Sequence, residues 1–152
     1  MFEHSRGKDL IYVATQLCLL VAFILMPPLV KIGIAESYRK LALIPAISGV
    51  LISLVAILQL KSNLTPFPSP TKNGTLIQTG LYRYMRHPIY TGIIVFIFCY
   101  SLFSDSLSRL VVSVLLVVLF YFKSRYEEGL LLEKFAEYPA YKSRTGRFFP
   151  FL

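Results

Sequence analysis

The sequence predicts an all-α integral membrane protein, a helical bundle of about four transmembrane helices with an amphipathic carboxy-terminal helix on the cytoplasmic face. Three observations predict it. The 152 residues are 55% hydrophobic and only 16% charged, with a mean hydropathy of +0.61, too apolar for a soluble domain of this length. Four apolar runs are separated by short polar connections. Of the 16 Lys and Arg, most fall on one side of those runs. The length suits one bundle over residues 1–152 with no separate globular domain, so any site lies among the helices or on their loops.

The first run, residues 10–30, follows a polar start carrying Arg6 and Lys8. It is longer than the core of a signal peptide and lacks a small-residue cleavage site, so it is expected to be a retained first span, with Pro27 and Pro28 kinking or ending it. Residues 31–40 form a short polar connection. Residues 41–60 make the second span; Pro45 falls in its first turns, where a lost N–H matters least, and Lys61 closes it.

Residues 62–79 change character. Pro66, Pro68 and Pro70 alternate with other residues and lead to an Asn73-Gly74 turn, which predicts a loop of restricted, extended backbone. Leu76 and Ile77 then form a short apolar wall. The third span is Pro88–Phe103, and the tight connection 104–109 turns it into an antiparallel hairpin with the fourth, residues 110–122. The fourth helix is expected to continue through 123–136, where Gly129 is the one breaker. There Lys123, Arg125, Glu127, Glu128, Glu133 and Lys134 alternate with Leu130, Leu131, Leu132 and Phe135, an amphipathic, interfacial pattern.

With four spans, one side collects Arg6, Lys8, Lys61, Lys72, Arg83, Arg86, Lys123, Arg125, Lys134, Lys142, Arg144 and Arg147. The other has Lys31, Arg39, Lys40 and Arg109. The positive-inside rule then puts both termini and the Pro-rich loop in the cytoplasm. A net charge of +8 favours anionic lipid headgroups, and the dominance of apolar spans argues against nucleic acid as a partner. Cys18 and Cys99 lie inside apolar runs, where packing is their expected role, and no Cys-x-x-Cys or His-x-x-x-His spacing offers a metal site.

The chemistry is expected at residues 80–92, Gly-Leu-Tyr-Arg-Tyr-Met-Arg-His-Pro-Ile-Tyr-Thr-Gly. Arg83, Arg86 and His87 precede Pro88, which suits the first position of a helix. The unpaired N–H groups of that helix start, with Arg86 and His87 beside them, form an anion-receiving corner. Glu127 and Glu128 reach the same face on the neighbouring antiparallel helix. Basic residues also flank spans purely as topology anchors, and such a cluster also suits a structural ion-pair network. A ligand combining an anion, an amine, hydroxyls and a flat ring would engage the set: Arg86 for the anion, Glu127 for amine or ribose hydroxyls, tyrosines for the ring. S-adenosylmethionine is such a ligand. Its methyl group leaves a cationic sulfur, so transfer needs positioning and no protein nucleophile. No Gly-x-Ser-x-Gly, His-Glu-x-x-His or Walker-type motif is present.

The pattern Gly80-x-Tyr82-x-x-x-Arg86-His87-Pro88-x-Tyr90-x-Gly92, an apolar hairpin, Glu127-Glu128, then Phe135, Tyr138, Tyr141 and Pro150 resembles the isoprenylcysteine carboxyl methyltransferase and phospholipid methyltransferase superfamily over residues 66–150. The resemblance implies a cytosolic S-adenosylmethionine pocket closed over by the carboxy-terminal segment. It also implies a lipophilic acceptor, a carboxylate, amine, thiol or hydroxyl, arriving from the bilayer. Carried over singly, Leu76 and Ile77 border the cofactor, Tyr82, His87 and Tyr90 contact it, and Glu127 with Glu128 supplies its acidic ligand. Lys123 or Arg125 corresponds to the basic residue that orients the acceptor; from its place beside the helix start, Arg86 is the alternative expected to steer it. Two other functions compete: an NADPH-dependent lipid reductase, and a non-enzymatic scaffold whose basic face holds anionic lipid.

Overall fold

The computed structural model describes residues 3–71 and 73–150; Lys72 and the ends of the chain, 1–2 and 151–152, lie outside the described residues. It is all-helical. Six α-helices follow one another: α1 Glu3–Leu25, α2 Glu36–Leu41, α3 Leu43–Leu60, α4 Pro88–Phe103, α5 Leu107–Lys134 and α6 Tyr138–Ser143. Arg6–Leu25, Glu36–Leu60 and Leu107–Lys134 are long and apolar enough to cross a membrane. With 16 residues, α4 measures about 24 Å at 1.5 Å per residue and falls short of a hydrocarbon core of about 30 Å.

Several boundaries differ from the sequence expectation for local reasons. The first helix ends at Leu25 rather than continuing to 30, because the residue before a proline is pushed out of the α region and Pro27-Pro28 follow. The second span starts earlier, at Glu36, because Ala42 keeps α-helical dihedrals and joins α2 to α3, and a Glu36–Lys40 ion pair of 2.7 Å one turn apart lies on its exposed start. Pro88 occupies the first turn of α4, as expected from its missing N–H. Ser106 caps α5, its side chain accepting from the Arg109 N–H at 3.2 Å. The amphipathic stretch is the straight continuation of α5, which ends at Lys134, and the short α6 follows as a separate element.

The α4–α5 turn is fixed by Asp105, whose Oδ1 accepts from the N–H groups of Gly33 and Ile34 at 2.9 and 3.1 Å. The connection after α1 is thereby tied to the hairpin. The hairpin forms the centre of the molecule, with Ile94, Ile97, Val112, Leu116, Phe120 and, from α1, Phe23 as its buried core. Against it α1 rests on α5 and α3 on α4. The second contact is close: a Cβ on Gly49 would lie 2.6 Å from the carbonyl oxygen of Gly92, so side chains larger than hydrogen are excluded there. Leu25, Ile24 and Leu58 are among the large apolar side chains left on the outside, as a lipid-facing surface requires.

After α6 the chain returns beneath the start of α4. The N–H groups of Arg86 and His87 donate to the carbonyls of Gly146 and Arg147 at 2.9 and 3.0 Å, and Gly146 N–H donates to Tyr84 at 3.2 Å. Residues 84–87 and 146–147 thus run side by side, and Thr91 Oγ1 donates to the Phe148 carbonyl.

Candidate active site

The site is assembled from one turn, one helix start and one helix end. Gly80 adopts a left-handed φ of 61°, and Gln59 Oε1 accepts from the Leu81 N–H at 2.9 Å, setting the 3-10 turn Gly80–Arg83 against the end of α3. That turn buries Tyr82, whose carbonyl receives the Tyr141 hydroxyl at 2.6 Å. Pro88 then starts α4 and leaves His87 at its mouth, buried between two carboxylates of α5. His87 Nδ1 lies 3.3 Å from Glu127 Oε2, and Nε2 lies 3.4 Å from Glu128 Oε1. The second contact is charge proximity without hydrogen-bond geometry. Burial alone would lower the His87 pKa, but Glu127 and Glu128 on its two sides raise it above the usual histidine value. Tyr90, one turn into α4, donates its hydroxyl to Glu127 at 2.5 Å. Its ring is stacked between His87 at 5.5 Å and Phe120 at 4.6 Å.

These side chains form one wall of a cavity of about 400 Å³, within the range of about 300 to 1,000 Å³ usual for small-molecule sites. It lies among α1, α3, α4 and α5 and is roofed by the loop after α3. Asn63 pins that roof by exchanging two hydrogen bonds with Thr75, at 3.0 and 3.1 Å. Lys134 donates to Thr71, and Asp9 of α1 accepts from the Ser69 N–H at 3.3 Å.

Eight of the ten residues singled out from sequence line this cavity: Leu76, Ile77, Tyr82, Arg86, His87, Tyr90, Lys123 and Glu127. Glu128 and Arg125 are not among its lining residues. Arg125 is exposed, with its guanidinium 5.9 Å from the Tyr121 ring centre. Glu128 is 1% exposed and turns to the carboxy-terminal segment. It receives Arg86 Nε at 2.9 Å, Arg147 Nε at 3.0 Å and Lys142 Nζ at 3.0 Å. A carboxylate this deeply buried is retained only with such partners. Arg86, expected to receive an anion, lines the cavity and is at the same time part of this network. Its guanidinium is taken up by Glu128 and by the carbonyls of Lys142, at 3.1 Å, and Thr145.

Lys123 is the basic residue that α5 turns into the cavity. It is 2% exposed and donates to Gln16 Oε1 at 2.7 Å and to the Pro66 carbonyl at 3.1 Å, with its ammonium 5.4 Å from the centre of the Tyr90 ring. Gln16 was not foreseen as a site residue. Its signal was available as an uncharged polar side chain inside the first apolar run, where such groups are costly and turn toward a partner. Tyr138 and Tyr141 were seen as parts of a pattern and also line the cavity.

Fold and cavity together define a membrane-embedded helical protein with a half-open cavity between its helices that Arg86, His87, Lys123, Glu127 and several tyrosines help to line. Residues 38–138 match the family model of phospholipid methyltransferases, and the chain belongs to that family. Its fold is similar to that of the eukaryotic intramembrane Ras methyltransferase ICMT (isoprenylcysteine carboxyl methyltransferase), in a structure determined without a monobody. The TM-score is 0.69 at 21% sequence identity, over 95% of this chain and 53% of that one. The chain therefore spans about half the length of that relative, and at this identity the likeness is one of fold. None of the curated proteins compared with the chain matches it.

Proposed function

We propose that the protein transfers a methyl group from S-adenosylmethionine to a lipophilic acceptor that reaches the cavity from the bilayer. The observation that carries this reading is the meeting of Glu127, held by His87 and Tyr90, with the buried cation Lys123 in one cavity between membrane helices. Bound there, S-adenosylmethionine would supply a methyl group on a cationic sulfur, whose loss disperses charge without a covalent enzyme intermediate.

The residues present fit that cofactor. A carboxylate offers about four lone-pair sites, and His87 and Tyr90 engage two of those on Glu127, leaving capacity for an amine or ribose hydroxyls. Leu76 and Ile77 give an apolar border, and Tyr82 an aromatic face. The proposed role of Glu128 is indirect, holding Arg86 and the carboxy-terminal segment in place. Lys123 has three N–H donors and uses two, on Gln16 and Pro66, so the third remains for the acceptor. An anionic oxygen is met directly by it. An amine or thiol would first have to give up a proton. The distribution of Lys and Arg supports a cytoplasmic mouth for the cavity and cytoplasmic termini.

The reductase reading is less well supported. A 2′-phosphate calls for uncommitted cations, whereas Arg86, Lys142 and Arg147 converge on Glu128. The test is to incubate the purified protein with methyl-labelled S-adenosylmethionine and a total lipid extract, and to compare S-adenosylmethionine with NADPH by thermal shift. Labelled lipid and stabilisation by S-adenosylmethionine alone are expected. Stabilisation by NADPH alone would replace this reading with the reductase, and no response to either nucleotide would favour the lipid-binding scaffold.

A further inference from the structure

Two tyrosines of α6 line the cavity, one turn apart, and their rings meet edge-on at 5.8 Å. Their hydroxyls have different fates. Tyr141 donates to the Tyr82 carbonyl at 2.6 Å, and this bond fastens α6 to the turn that precedes α4. Tyr138 is 0% exposed, and its hydroxyl meets no hydrogen-bond partner among the described residues. Of the charged groups in its electrostatic reach, Glu128 and Arg86 are bonded to each other and Glu127 accepts from Tyr90. Burial pushes the pKa of Tyr138 up, so the group stays an O–H donor at every physiological pH.

A buried hydroxyl without a partner gives up its hydrogen bonds to water on folding and gains none in return. Phenylalanine would fill the same volume without that loss. The tyrosine is therefore unfavourable for the unliganded fold and favourable only when something in the cavity accepts from it. From this we infer that the Tyr138 hydroxyl is a hydrogen-bond donor to the nucleoside cofactor, delivered to the cavity by the carboxy-terminal segment. The inference rests on the proposed methyl transfer and adds to it a binding residue on α6, whose hydroxyl has no partner among the described residues because its partner is the ligand.

The prediction joins two measurements of opposite sign. In full-length protein in detergent or nanodiscs, Tyr138→Phe should leave the melting temperature of the unliganded protein unchanged or raise it, while affinity for S-adenosylhomocysteine falls about tenfold. Tyr141→Phe serves as the contrast, because it loses a made bond and should lower the unliganded melting temperature. An affinity within twofold of the unsubstituted protein in Tyr138→Phe would overturn the inference and leave methyl transfer standing. A lowered melting temperature in Tyr138→Phe would overturn it as well, since the hydroxyl would then serve the fold. Failure of the unsubstituted protein to bind S-adenosylhomocysteine would overturn both.

Discussion

Glu127 and Glu128 are adjacent in sequence, flank the same His87 ring, and point to different neighbours of α5. Glu127 faces the cavity, with Tyr90 and His87 on its oxygens, while Glu128 is enclosed by Arg86, Arg147 and Lys142. Successive residues of a helix are about 100° apart, so Glu127 lines the cavity while Glu128 meets the carboxy-terminal segment.

Substitution of the two should therefore separate binding from stability. Glu127→Gln keeps the shape and removes a charge-assisted acceptor, which is typically worth about 1.5 to 3 kcal/mol, or roughly ten- to a hundredfold in S-adenosylmethionine affinity by calorimetry. Glu128→Gln leaves three cations around a neutral group. Breaking a buried pair costs about 3 to 5 kcal/mol, and the expected result is a large fall in melting temperature. Equal effects of the two substitutions on both measurements would contradict this division.

Lys123 and Arg125 should also part company. Lys123→Ala is expected to lower methyl transfer at limiting acceptor while sparing cofactor affinity, because a group that orients only the acceptor contributes nothing to the binary complex. Arg125→Ala should change neither, since that side chain is exposed beside Tyr121. Measuring turnover and binding on the same preparations decides the matter, and unimpaired transfer in Lys123→Ala would remove it from the acceptor site.

The state of His87 gives stability a definite pH dependence. Its folded pKa is raised above the unfolded value of about 6.5, so the imidazolium between Glu127 and Glu128 contributes fully below about 6.5. That contribution is lost as pH rises through the raised folded value. The unfolding midpoint should fall across this window, and His87→Gln should flatten that part of the profile. An unchanged slope in the variant would assign the dependence elsewhere.

Topology can be tested without reference to function. In a background lacking Cys18 and Cys99, single cysteines at Ser37 and Asn73 should react with an impermeant thiol reagent from opposite sides of the membrane. Labelling from one side would refute the assigned orientation.

The extent of α4 and the hairpin were legible because Pro88 marks a helix start and the apolar run after it is uninterrupted. The start of α1 was not: the helix begins at Glu3, ahead of the apolar run, in charged residues of which Arg6 and Lys8 are exposed. Arg86 shows a different limit. Its position before the helix suggests an anion site, and nothing local reveals that residues 142–147 return to occupy it. Gln16 and Lys123 are 107 positions apart, and their meeting depends on α1 lying along α5. The difference between Tyr138 and Tyr141 is a difference of hydroxyl partners, which a spacing of three residues does not encode.

The side-by-side run of residues 84–87 and 146–147 sets an order of events during synthesis. The hairpin can enter the bilayer as soon as α5 has been made, but Arg86 and His87 gain their backbone partners, Gly146 and Arg147, only once the segment that follows α5 has also been made. A nascent chain stalled before Gly146 would therefore hold every residue that lines the cavity but lack the backbone pairing that holds Arg86 and His87 in place. The last hydrogen bonds to the start of α4 are thus the last to become available along the chain.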